Sequence, residues 1–265
     1  MARRIRLAKP GAEIPFTGER ATPFVTEPLL AEHLHRYFTA LDLCAGRKVL
    51  DIACGEGYGA ALMALNGAAA VTGIDIDAAT IERARRVYSL PRLRFETGDA
   101  QQPLALATGS VDLVTCFETI EHVVAQEALL AELARILAPD GVLLISTPDR
   151  ERAGAETSPN PFHERELSLA EFRALLAPHF PHLTLRHQRQ LTGSVLSDPE
   201  AGFTAEQVFW EREGFLEFSA AARPSAPRFF LIAASRVAPV ALPTGLLHDG
   251  RILASLRKAL RAARG

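Results

Sequence analysis

The 265-residue chain is poor in cysteine, tryptophan and methionine, with three, one and two of them. Cys44, Cys54 and Cys116 show none of the paired spacings that hold zinc or build a disulfide framework. That excludes a stapled miniature fold and predicts a reducing, cytoplasmic setting in which the three are small core residues. No stretch reaches the ~20 apolar residues of a membrane span. The basic start Arg3, Arg4, Arg6 and Lys9 runs into Pro10 and Gly11 rather than an apolar segment, so no secretory leader is expected. Charge of one sign is missing too: 29 Lys and Arg stand against 31 Asp and Glu, a formal net charge of -2. The broad attraction of a nucleic-acid binder is therefore absent, and small molecules or glycans come ahead of DNA or RNA as substrates.

What is present is an alternation. The chain is long enough for one large domain with additions. Apolar, partly β-branched runs recur as KVLDIA (48–53), AVTGID (70–75), LRFETG (93–98), VDLVTCF (111–117) and GVLLIST (141–147). Helical segments are expected between them at 58–66, 78–89 and 121–137, with a further one at 168–177. This order predicts an α/β, Rossmann-like sheet of seven mostly parallel strands flanked by helices. Residues 182–188 supply a further strand, and RFFLIAAS (228–235) supplies the last, antiparallel one. The main domain spans 46–237, with insertions at 149–167 and 190–227. A cap or lid precedes it at 1–45, carrying a helix over 27–43, and a basic tail follows at 238–265. In the tail, Ile252, Leu256 and Leu260 at four-residue spacing suit a docked helix or a homodimer contact, while its arginines would suit an anionic partner.

VLDIACGEGYG (49–59) joins a buried strand to a helix through Gly55, Gly57 and Gly59, residues that let a ligand approach the backbone. Neither a dinucleotide GxGxxG nor a P-loop GKS or GKT is present. About twenty residues on, Asp75 closes the second strand, where a carboxylate can accept both hydroxyls of a ribose. GDA (98–100) follows the third. Over residues 47–148 this ordered set resembles the class I S-adenosylmethionine-dependent methyltransferases. The resemblance implies that the Gly55–Gly59 loop meets the methionine part of the cofactor and Asp51 supports its amino group. Asp75 would hold the ribose, Asp99 the adenine amine, and Ile76 and Ala100 the faces of the ring. Phe117 would lie beside the transferable methyl.

CFETIEHV (116–123) then places Glu118, Glu121 and His122 after the fourth strand. On a helix starting there, offsets of three and four put all three on one face. Such a set suits a base, a hard divalent cation, or simple helix capping. NPFHEREL (160–167) brings His163 to the same sheet edge. The segment resembles ubiquinone-pathway catechol methyltransferases and those that methylate the terminal 2′-hydroxyl of small RNAs. That resemblance implies Mg2+ or Mn2+ on Glu118, Glu121, His122 and His163 at a vicinal diol; the metal-free reading gives proton removal to His122 or His163.

FTGERATP (16–23), EHLHRY (32–37) and NPFHEREL are similar to methyltransferases of bacterial surface-glycan clusters, which implies O-methylation of a sugar or glycan hydroxyl. Glu19, Arg20, His33, His35, Arg36 and Tyr37 become substrate or lid candidates, although a solvated helix face explains 32–37 equally well. Phe203, Phe209, Trp210 and Phe215 would wall the acceptor pocket or pack in a core. The competing expectations are an RNA 3′-terminal 2′-O-methyltransferase and a noncatalytic cofactor-binding scaffold.

Overall fold

A computed structural model describes residues 28–153, 160–189, 208–212, 217–221 and 228–245. Seven strands form one sheet: β1 (Lys48–Ile52), β2 (Ala70–Asp75), β3 (Leu93–Thr97), β4 (Val111–Phe117), β5 (Leu137–Pro148), β6 (His182–Gln188) and β9 (Phe229–Ser235). Their spatial order is β3-β2-β1-β4-β5-β9-β6. Pairing is parallel from β3 through β5, and β9 runs antiparallel to both β5 and β6. The expected sheet, with its antiparallel last strand, is the observed one. The short strands β7 (Val208–Arg212) and β8 (Glu217–Ala221) form a separate antiparallel pair within the insertion.

Helices α1 (Pro28–Cys44), α2 (Tyr58–Leu65), α3 (Ala78–Val87), α4 (Gln126–Ile136), α5 (Arg150–Ala153) and α6 (Leu169–Leu176) complete the described residues. β1, β4 and β5 are apolar on both faces because helices cover both. One cluster joins α1, α2 and α3 through Leu34, Leu41, Leu62 and Ile81, and the other joins α4 and α6 through Leu130, Leu133 and Phe172. α3 starts under an Asp77 cap on the amides of Ala79 and Thr80, and α6 under a capping box of Ser168 and Glu171; each satisfies amide groups that a helix start leaves open.

The expected helix over 121–137 is corrected at both ends. Residues Ile120–His122 form a 3-10 turn and α4 begins only at Gln126, because Thr119 and Ile120 carbonyls are taken by the amides of His122 and Val123 in i to i+3 bonds. The helix stops at Ile136. The chain then pairs irregularly with β4, with a register shift between Val111 and Leu113, so Pro139 and Asp140 sit in a strand irregularity before the regular run.

Residues 1–27 and 246–265 lie outside the described residues, and with them Glu19, Arg20, the FTGERATP segment and the basic tail. So do Phe203 and Phe215; Phe209 and Trp210 fall on β7. After β9 the chain stays on the domain, with Leu242 buried and the Arg186 guanidinium donating to the carbonyls of Leu242 and Pro243.

Candidate functional site

The carboxyl ends of β1, β2, β4 and β5 open into a cavity of about 470 Å³, the edge at which ligands bind in open α/β sheets. Gly55, Asp75, Ile76, Asp99, Ala100 and Phe117 line it, as do Glu118, Glu121, His122 and His163. The two sets read separately from the sequence thus share one space.

The loop after β1 owes its shape to two glycines that each stand against an aromatic ring. Gly57 has φ 79°, and a Cβ there would stand 2.6 Å from the Phe95 ring; at Gly59 it would stand 2.0 Å from the Tyr37 ring. Both make room for protein rather than ligand, and neither lines the cavity. Asp75 fastens the loop, its Oδ2 accepting from the Gly55 amide at 2.9 Å and its Oδ1 from the Asp77 amide at 3.0 Å. A carboxylate oxygen can accept more than one hydrogen bond.

Asp51 lies deeper, 1% exposed. Its Oδ1 accepts from the Thr115 hydroxyl at 2.7 Å, and both oxygens accept from the Tyr37 hydroxyl at 3.1 Å. Tyr37 lines the cavity and Asp51 does not, so the tyrosine of α1 stands on the carboxylate assigned to the amino group. Burial pushes Asp51 up to about 7, against the hydrogen bonds from Thr115 and Tyr37. The sequence held no signal for this pairing, since it joins residues on separate elements.

At the opposite end, Glu118 adopts φ 48°, a left-handed conformation that bulky residues rarely take. Its Oε1 accepts from the Ser146 hydroxyl at 2.6 Å and lies 3.5 Å from the Arg36 guanidinium. The turn points Glu121 inward, 1% exposed, with Oε2 accepting from Thr147 at 3.1 Å and Oε1 without a partner among the described residues. Burial first, then the neighbouring Glu118 charge, raises Glu121 well above the usual carboxylate range.

The NPFHER loop packs onto this turn: the Glu164 and Arg165 amides donate to the Glu121 carbonyl, and Gln126 Nε2 donates to the carbonyls of Ile120 and Arg165. The result sets the His122 and His163 rings edge to face, 4.8 Å between centroids. Ligand atoms of Glu121, His122 and His163 lie within 4.8 Å of one another, a grouping that does not include Glu118. An orphaned buried carboxylate oxygen beside two imidazoles fits a divalent cation that takes oxygen and nitrogen ligands.

Of the lid candidates, His33 and Tyr37 line the cavity. Desolvation, aided by Arg36, pushes His33 down to about 3, so it is neutral at pH 7. Arg36 is buried, donating from Nε to Gln188 Oε1 at 2.6 Å with its guanidinium over the Phe229 ring. Sequence reasoning passed over Asn160, Gln101 and Phe229 as lining residues; Asn160 and Gln101 stood beside motifs already noted and could have been found there.

Residues 50–145 match the family model described as a methyltransferase domain. A Mycolicibacterium smegmatis protein named "Probable S-adenosylmethionine-dependent methyltransferase" is 43% identical over 62% of this chain and 63% of its own length. The Neisseria meningitidis serogroup A "Ubiquinone biosynthesis O-methyltransferase" is 34% identical over 49% of this chain and 55% of its own. The match spans about three fifths of the length of the first of these relatives. Among solved structures, the fold is similar to that of an Archaeoglobus fulgidus SAM-dependent methyltransferase, with TM-score 0.55, 17% identity and coverage of 78% of this chain and 93% of that one. The Bacillus subtilis YcgJ protein gives TM-score 0.54, 18% identity and coverage of 78% and 100%. Residues 50–145 thus match a methyltransferase domain model, on a Rossmann-like fold shared with these solved structures.

Proposed function

We propose that the protein is an S-adenosylmethionine-dependent O-methyltransferase acting on a hydroxyl of a neutral sugar or glycan intermediate, with Mg2+ or Mn2+ at a vicinal diol. The observation that carries this reading is the single cavity in which Asp75, Ile76 and Asp99 face the same space as Glu121, His122 and His163. Among the described residues its wall holds five carboxylates, Glu56, Asp75, Asp99, Glu118 and Glu121, and no lysine or arginine. A phosphate at the reacting end would find no cationic side chain in that wall among the described residues, which favours a neutral polyol over a terminal nucleotide. The three cysteines, all buried, are in keeping with a cytoplasmic setting.

In this reading Asp75 receives the ribose hydroxyls, Ile76 and Ala100 flank the adenine, and Asp99 accepts from its amine. Tyr37, Phe117 and the Gly55 backbone surround the methionine end. Transfer breaks the sulfonium S–CH3 bond and forms O–CH3, leaving a neutral thioether, while the hydroxyl proton must go to a base. Positioning in line and removing that proton are the protein's tasks. A bound divalent cation lowers the pKa of a hydroxyl that touches it. Glu121, His122 and His163 would hold it, while Glu118 stays with Ser146 and Arg36 and keeps a negative wall behind the three. Without a cation, His122 or His163 takes the proton.

Purified protein incubated with methyl-labelled cofactor and separate panels of nucleotide sugars, glycans, catechols and short RNAs, with and without divalent ions, tests the reading. Label is expected in a sugar hydroxyl, lost after EDTA treatment and restored by Mg2+ or Mn2+. Label only in RNA would replace the acceptor, full turnover after EDTA would remove the metal, and no turnover with any panel would favour a scaffold.

A further inference from the structure

His163 is held from both sides. Its Nδ1 lies 2.6 Å from Glu166 Oε1, and its Nε2 lies 3.0 Å from Asn160 Nδ2. The Asn160 amide is oriented by its other end, because Asn160 Oδ1 accepts the Phe162 amide at 3.0 Å. Nδ2 must then face the ring as a donor, so Nε2 accepts and Nδ1 carries the proton that Glu166 accepts. His122 obeys the same rule: its Nδ1 lies 2.9 Å from the Phe162 carbonyl, which can only accept. Both rings therefore protonate Nδ1, toward Glu166 and the Phe162 carbonyl, and leave Nε2 as the lone-pair nitrogen, which in His163 accepts from Asn160. Two imidazoles meeting at this distance could settle into several tautomer pairs, and the NPFHEREL loop selects one.

We propose that Glu166 is a positioning residue that locks the His163 tautomer and ring orientation so that Nε2 serves the cation site, with the Phe162 carbonyl doing the same for His122. The use to which Nε2 is put rests on the metal reading above; the lock itself does not. Glu166 is 21% exposed and lies outside the capping box of Ser168 and Glu171 that starts α6, so its substitution is expected to leave that cap in place. Loss of an outer partner of a metal-bound histidine commonly weakens the metal about 10- to 100-fold. Asn160 occupies the Nε2 lone pair in the ion-free protein and has to move aside when an ion enters.

Two measurements on the full chain separate the lock from its use. In 15N-histidine-labelled, ion-free protein at a pH where the ring is neutral, long-range 1H–15N spectra should report His163, assigned by His163→Gln, as the single Nδ1–H tautomer. Glu166→Ala should give a tautomer mixture, and Glu166→Gln, whose amide oxygen still accepts from Nδ1, should restore the single form. Mn2+ titration followed by electron paramagnetic resonance should then show affinity falling about 10- to 100-fold in Glu166→Ala and much less in Glu166→Gln. An unchanged His163 tautomer in Glu166→Ala overturns the proposal. So does wild-type Mn2+ affinity in that variant. If the wild type binds no Mn2+ while the tautomer responds to Glu166, the lock stands and the metal reading falls.

Discussion

Ala53 and Glu118 are the only described non-glycine residues with positive φ, at 54° and 48°, and both line the cavity. An L-residue held there costs about 1–2 kcal/mol, which glycine would avoid at an entropic cost of about 0.5–1 kcal/mol. Ala53→Gly should therefore raise the unfolding free energy by up to about 1 kcal/mol in urea titrations, with cofactor affinity nearly unchanged. Asp75→Ala should do the reverse. It removes a carboxylate that fastens Gly55 and, on the proposed reading, accepts the ribose hydroxyls, and charge-assisted bonds of about 1.5–3 kcal/mol translate into cofactor binding weaker by about 10- to 100-fold; unchanged calorimetric affinity would mean that the ribose lies elsewhere.

Asp51 gives a pH dependence whose sign follows from its burial. Its folded value of about 7 stands above the unfolded value near 3.8, so between these the folded chain holds a proton that the unfolded chain has lost. Stability from this group is then present at low pH and declines as pH rises through that window. Over about three pH units the loss is on the order of 4 kcal/mol. Asp51→Asn cannot ionise, so in cofactor-free protein its stability relative to wild type should climb between pH 4 and 8. A difference that stays flat would show that Asp51 is ionised in the folded state.

At the scale of elements, α1 is tied to the sheet by a cation with poor hydrogen bonding. Arg36 reaches Gln188 on β6, Phe229 on β9 and Glu118 after β4, yet among the described residues its two terminal nitrogens have no hydrogen-bond partner. A buried charge so placed recovers little of its desolvation cost, and an apolar side chain of similar length can match it. Arg36→Met should consequently be less destabilising than Arg36→Ala, which adds a cavity; equal losses in denaturant unfolding would show that the charge itself holds the helix. The strands and most helices of this architecture were legible because an apolar run of five to seven residues between glycines has few other uses. What stayed hidden depends on contacts between distant elements. The turn at Ile120–His122 is set by the NPFHER loop donating to the Glu121 carbonyl, so periodicity alone extended α4 five residues too far. Likewise Glu118 sits close in sequence to Glu121 and His122 but is turned to Ser146 by its own backbone, while His163, some forty residues on, joins them.

For the whole molecule the decisive property is one acidic cavity shared by donor and acceptor groups. Five carboxylates line it; Glu118 faces Arg36 and Glu56 pairs with Arg83 from behind the wall, but among the described residues no lysine or arginine lines the cavity itself. A sulfonium carries a positive charge that the thioether product lacks, so in ion-free protein S-adenosylmethionine should bind more tightly than S-adenosylhomocysteine. On the metal reading, Mn2+ brings two further positive charges into the same space and repels the sulfonium but not the thioether. The coupling is reciprocal, because both ligands act on one equilibrium. Mn2+ should therefore narrow or reverse the preference for the sulfonium, and Mn2+ affinity should be about fivefold or more higher with S-adenosylhomocysteine bound, a coupling at the lower end of those seen between sites. Calorimetric titration of each ligand with and without the other completes the cycle. Identical Mn2+ affinities in the two complexes would place the ion outside the cavity that holds the methyl donor, and would send Glu121, His122 and His163 back to proton transfer alone.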